Sequence, residues 1–104
     1  ITSSGGGGMG MGGSTSYSAI FSTPQGLWVN SSNELFVADA LSGQVKVFNL
    51  ASKEAGVPLG ALGRNEGELF YPLDVFVDEA TKDVYVADNQ NGRITVFVGG
   101  GVIQ

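Results

Sequence analysis

Leu-Phe-Val-Ala-Asp at residues 35–39 returns forty-nine residues later as Val-Tyr-Val-Ala-Asp at residues 84–88. Each copy runs into a short polar turn that ends on a glycine, Gly43 or Gly92, and then into a run ending in Val-Phe. Apolar and polar residues alternate with period two through these runs, and β-branched and aromatic types dominate. That pattern belongs to half-buried strands joined as antiparallel hairpins. Working outward, residues 25–29 (QGLWV) precede the first copy and residues 73–78 (LDVFVD) precede the second, at an offset of forty-eight. One extra residue sits in the second intervening turn. Residues 44–48 and 93–97 follow the two copies at an offset of forty-nine. Residues 57–62 are expected as an irregular outer strand broken by Pro58 and Gly60, and residues 63–68 as a loop.

A repeat of this length, with three clear strands and a weaker fourth, is the pattern of a β-propeller blade. The fold class is therefore all-β, with two antiparallel blades. Residues 1–15 read as a Gly/Ser-rich flexible tail. Residues 16–69 form the first blade with a preceding edge strand. Residues 70–104 form the second blade, whose outer strand is short or supplied by another segment.

The two copies resemble the NHL-repeat family over about residues 21–98. In the second copy the resemblance is carried by Pro72, Val75, Val77, Asp78, Tyr85, Val86, Ala87, Asp88, Asn91, Arg93, Ile94, Val96 and Phe97. In the first it is carried by Pro24, Gly26, Leu27, Val29, Phe36, Val37, Ala38, Asp39, Val45, Val47 and Phe48. Trp28 and Phe76 stand where the family usually has a small residue, Asp74 replaces the glycine kept as Gly26, and Gln44 replaces the arginine kept as Arg93. The resemblance implies an NHL-like propeller, which usually closes with about six blades. This chain supplies two. A blade is a small sheet whose faces need neighbours, and two blades leave apolar faces larger than a monomer usually tolerates. The incomplete propeller is thus expected to be completed by further blades of a larger parent protein or by other copies of the chain. Three copies would close a ring, and a misfitting rotation would give an open filament.

Composition narrows the chemistry. The chain carries 5 Lys and Arg against 10 Asp and Glu, a formal charge of −5, with no histidine and no cysteine. Five scattered cations cannot track a phosphate backbone, so no nucleic-acid partner is expected. No run of 18 apolar residues occurs, so no membrane insertion is expected. Without imidazole or thiol, thiolate nucleophiles, a histidine base and nearly all zinc or copper sites are missing, and no enzyme activity, cofactor or metal is expected. The chain begins with Ile, which fits either a removed signal peptide or a fragment.

Residues 1–33 carry no charged side chain, and the first is Glu34. Within that stretch Tyr17, Ile20 and Phe21 are candidates for an edge strand that pairs with another chain, because an uncharged edge lacks the usual protection. Trp28, Asp74 and Phe76 on the innermost strands, and Val102 and Ile103 at the end, are the other assembly candidates. The remaining aromatics on the strands are expected in the core or between blades. Asp39 and Asp88 are expected as turn residues whose carboxylates accept N–H groups of the following turn. Arg93 is expected to lay its stem over the blade and its head on a turn carboxylate or carbonyl. Asp78, Glu79 and Asp83 read as a solvated turn near Lys82. Residues 88–92 faintly resemble a calcium loop but lack its terminal glutamate.

The function expected on these grounds is that of a non-catalytic, secreted or cell-surface structural protein. It would self-assemble through blade packing, with exchange of the N-terminal strand as a second route. The alternative is a piece of a larger NHL propeller acting as a protein- or ligand-binding module.

Overall fold

The computed structural model describes residues 13–16 and 21–101. Tyr17, Ile20, Val102 and Ile103 lie outside them. The regular structure of the described residues is all-β, two antiparallel three-stranded sheets with two short 3-10 turns. The first sheet holds β1 (Pro24–Val29), β2 (Glu34–Asp39) and β3 (Gln44–Asn49) in that order. The second holds β4 (Pro72–Val77), β5 (Val84–Asp88) and β6 (Arg93–Phe97). Spatial order follows chain order because every connection within a sheet is too short for anything but a hairpin.

The turns are built by the residues that begin them. Asn30 ends β1 and its Oδ1 accepts the N–H groups of Ser32 and Glu34 at 3.1 and 2.9 Å, while its amide donates to the buried Glu34 carboxylate at 2.8 Å. Asp78, its repeat partner, accepts from Ala80 and Thr81. Both turns return through a left-handed residue, Asn33 at φ 65° and Lys82 at φ 67°. The second connection in each sheet is a single 3-10 turn, Ala40–Ser42 or Asn89–Asn91, closed by Gly43 at φ 66° or Gly92 at φ 62°. Glycine takes this left-handed conformation without steric cost, which explains its recurrence at the same offset as the strands.

Outside β3 the chain doubles back. Leu59 exchanges two backbone hydrogen bonds with Val45, at 2.8 and 2.9 Å, and Gly56 donates to the Val47 carbonyl at 2.7 Å. The fourth-strand pairing expected over residues 57–62 is therefore carried by residues 54–59 as isolated bridges, and Pro58, which has no N–H, helps keep it irregular. Leu69, in the connection that follows, is fully buried in the core although it lies on no strand.

The core lies between the sheets. Phe36, Ala38, Val45 and Val47 of the first sheet face Val75, Val77, Val84 and Val86 of the second, with Leu69 filling between them. Register places each set on one face: Trp28, Phe36 and Val47 are directly opposed, as are Val75, Val86 and Thr95. β4 packs against β1 and β2. Gly26 permits the closest approach, since a Cβ there would stand 2.7 Å from the Asp74 Cα and the Leu73 carbonyl oxygen.

Candidate functional site

Asp39 and Asp88 close β2 and β5 with fully buried side chains. Neither accepts a backbone N–H of the 3-10 turn after it, so the expectation that the following turn supplies backbone donors is corrected, although each carboxylate still holds a side chain of that turn. Their donors come from before the sheet. Asp39 accepts the N–H groups of Ser22 at 2.9 Å and Thr23 at 2.7 Å, and Asp88 accepts that of Phe70 at 2.7 Å. Ser22 and Phe70 are repeat partners, and each precedes its innermost strand. The carboxylate thus ties the segment leading into β1 or β4 to the far end of the neighbouring strand. A side chain three residues on completes each cluster: the Ser42 hydroxyl donates to Asp39 Oδ2 at 2.7 Å, and the Asn91 amide donates to Asp88 Oδ2 at 2.9 Å.

Each buried carboxylate also has a cation, taken from different positions. Arg93, directly across the β5–β6 ladder from Asp88, donates through Nε at 3.0 Å. Its other nitrogens reach the carbonyls of Arg64, Asn65 and Glu68, as a planar fork allows. In the first sheet Gln44 stands across from Asp39, and Lys46 supplies the charge at 3.2 Å. Thr95 holds the matching position in the second sheet and still donates to Asp88 at 3.3 Å. Burial pushes the Asp39 carboxyl up, but the Ser42 hydroxyl, the Ser22 and Thr23 N–H groups and Lys46 together outweigh it and hold the carboxyl below its ordinary value. Both clusters are saturated, so they are braces rather than sites for an exchangeable ligand.

Trp28 and Phe76 meet at the seam between the innermost strands, edge to face with centroids 4.7 Å apart. Glu79 crosses the same seam. It accepts the Ser31 N–H at 3.1 Å and hydroxyl at 2.7 Å, and the Trp28 indole N–H at 3.5 Å. The Ser31 hydroxyl and N–H hold the Glu79 carboxyl below its ordinary value, against a weak opposing effect of burial. Glu79 therefore joins the two sheets from within the solvent-exposed turn expected for it. The extra residue that lengthens its turn over that of the first sheet was the available signal.

Among the assembly candidates, Trp28, Asp74 and Phe76 come together at this seam. Asp74 is exposed, and its Oδ1 accepts the N–H of Val75 at 2.9 Å. Phe21 stands on the opposite face of the first sheet, with its ring 5.5 Å from that of Phe48.

The least saturated surface is the outer face of the second sheet. In the first sheet Phe36, Val45 and Val47 are 0, 0 and 1% exposed, whereas their repeat partners Tyr85, Ile94 and Val96 are 37, 64 and 41% exposed. The pattern is the same and the exposure differs. Phe76 adds to this face, and a shallow depression of about 180 Å³ lies over it between Asp74, Tyr85 and Ile94. Phe76 touches Trp28 across the seam, and Tyr85, expected in the core or between blades, is part-exposed and lies outside the core within the chain. Among the described residues no group of three His, Cys, Asp or Glu side chains gathers to hold a metal ion, and no helix is long and apolar enough to cross a membrane.

No protein-family model matches the chain, and no curated protein sequence matches it. The likeness to NHL repeats rests on the residues of the chain itself.

Proposed function

We propose that the chain is a non-catalytic structural and interaction protein, made of two NHL-like propeller blades that act by stacking on further blades, at the cell surface or outside the cell. The outer face of the second sheet carries this reading. Its Phe76, Tyr85, Ile94 and Val96 occupy the positions that, one repeat earlier, form a buried sheet–sheet contact. Burying apolar area of this kind returns about 25 cal/mol per Å², the dominant favourable contribution in association. The absence of imidazole and thiol from the sequence and the full saturation of the Asp39 and Asp88 clusters support a binding role over a catalytic one.

The test is the mass of the native particle by light scattering over a range of protein concentrations. The expected result is a particle heavier than one chain. A monodisperse monomer at every concentration, with intact β circular dichroism, overturns the proposal.

A further inference from the structure

Resting on that reading, we infer that the partner is a second copy of this chain, docked head to tail: the outer face of one copy's second sheet covers the outer face of another copy's first sheet. The internal contact supplies the argument. Each sheet has two faces, and the repeat makes them comparable position by position. One face bears Trp28, Phe36 and Val47 in the first sheet and Phe76, Tyr85 and Val96 in the second. The other bears Leu27 and Val29 in the first sheet and Val75 and Val77 in the second. Inside the chain, the first kind of face from the first sheet packs on the second kind from the second sheet.

What remains outside is one face of the second sheet and the β1 strip of the opposite kind of face on the first. The second sheet exposes its Phe76–Tyr85–Val96 face. The first sheet exposes Leu27 at 64% and Val29 at 49%, whose counterparts Val75 and Val77 are buried in the internal contact. Val37 and Phe48 on that face are already buried, so the open β1 strip of the first sheet and the open face of the second are the matching parts of an interface the molecule already makes once. Phe21 covers the side of the first sheet near Phe48, but the β1 side stays open. That is the relevant side, because β1 and β4 are the strands that meet most closely within the chain. The faces differ, so the contact is heterologous: every copy offers one donor face and one acceptor face, and addition repeats until a ring closes or a filament grows.

The contact between copies is weaker than the one within the chain. The indole bond to Glu79 is not reproduced in it, since Phe76 has no N–H where Trp28 has one, and Ser31 and Glu79 meet with their positions exchanged. Association is accordingly concentration-dependent.

The experiment uses two charged variants at exposed positions, Ile94→Lys on the second sheet and Leu27→Lys on the first, each checked for wild-type circular dichroism and melting. Should either fail that check, Val96→Thr and Val29→Thr replace them. Each variant alone is expected to run as a single chain in light scattering, because each has lost one of the two faces. Mixed in equal amounts they are expected to form a particle of two chains and no larger, since only one compatible pair of faces survives. If Leu27→Lys alone still associates while Ile94→Lys does not, or the reverse, the contact joins like faces and the head-to-tail inference is overturned while self-association stands. A mixture that stays monomeric while the wild type associates also overturns it. A monomeric wild type overturns both this inference and the proposed function.

Discussion

Lys46 reaches the Asp39 carboxylate at 3.2 Å from the strand position that Thr95 holds in the second sheet, whereas Asp88 takes its cation from Arg93, directly opposite on the ladder. Positions 44 and 46 lie two residues apart on one strand, hence on the same face, and either can deliver a positive charge to the same buried acid. The repeat preserves the charge pair while moving the residue that carries it.

Moving it back is therefore expected to cost little. Lys46→Thr alone removes the cation from a fully buried carboxylate and is expected to destabilise the protein by about 2 kcal/mol. Adding Gln44→Arg rebuilds the arrangement of the second sheet and is expected to return stability to within about 1 kcal/mol of wild type. Urea unfolding followed by circular dichroism at one protein concentration measures both. No recovery in the double variant would mean that Lys46 matters for its stem and not for its charge.

Acid acts through the same carboxylate. Asp39 is held below the ordinary value of 3.8, so its charged form is favoured by folding. Its contribution is complete above the unfolded value and is lost as pH falls through the lowered folded value. Asp39→Asn has no such titration. Its stability is expected to be lower than wild type at neutral pH, and the gap is expected to narrow as pH drops below about 4. Denaturant midpoints measured across that range check the convergence, and parallel curves for the two proteins would contradict it.

The two glycines that close the 3-10 turns share a conformation but not a setting. Beside Gly92 a Cβ meets nothing within 4 Å, so Gly92→Ala bears only the left-handed strain, about 1–2 kcal/mol. At Gly43 the same atom would stand 2.6 Å from the Leu62 Cα and 2.7 Å from the Leu69 carbonyl oxygen. Backbone cannot step aside as a side chain can, so Gly43→Ala is expected to cost roughly 1–3 kcal/mol more. Paired melting curves of the two variants provide the comparison.

These contrasts show where the chain was legible and where it was not. Period-two alternation and the forty-eight to forty-nine residue offset place all six strands to within two residues, because strand pattern and turn chemistry are local properties. The donors to Asp39 and Asp88 were not legible, because Ser22 and Phe70 lie 17 and 18 residues away and meet the carboxylates only when the sheet closes. Leu69 was missed for the same reason: it sits in a loop without period, and only the packing of the two sheets makes it core. Of the seam, the aromatic departures at Trp28 and Phe76 were visible as oddities, but their contact and the Glu79 crossing belong to tertiary structure.

Glu79 gives that seam an optical reporter. Its carboxylate accepts the indole N–H of Trp28, the single tryptophan of the chain. Glu79→Ala frees that N–H to water and leaves the Ser31 donors without their partner. Tryptophan emission is expected to shift to longer wavelength and the melting temperature to fall, whereas Asp83→Ala, on the same turn but without a bond to the indole, is expected to leave emission unchanged. Equal emission from all three proteins would mean that the crossing is not held in solution.

In the proposed contact between copies, Asp74 would set how closely the further sheet can approach. Inside the chain, Gly26 lies so near the Asp74 backbone that any Cβ on it would be within 2.7 Å of the Asp74 Cα. Asp74 is itself the repeat partner of Gly26, so in the proposed contact between copies it would occupy the tight position and carry the Cβ and carboxylate that the internal contact excludes. It also brings an exposed charge to an apolar seam, which costs desolvation on docking. Asp74→Gly is therefore expected to strengthen association, raising the average mass at a given concentration and lowering the concentration at which it first rises. The variant loses one short-range bond to the Val75 N–H and gains chain entropy, so its monomer is expected to be slightly less stable, and the two effects separate by measuring mass and melting on the same samples. Asp74→Ala keeps the Cβ but drops the charge, and is expected to fall between wild type and Asp74→Gly. An unchanged or reduced mass for the glycine variant would show that copies do not meet with β4 of one against β1 of the next.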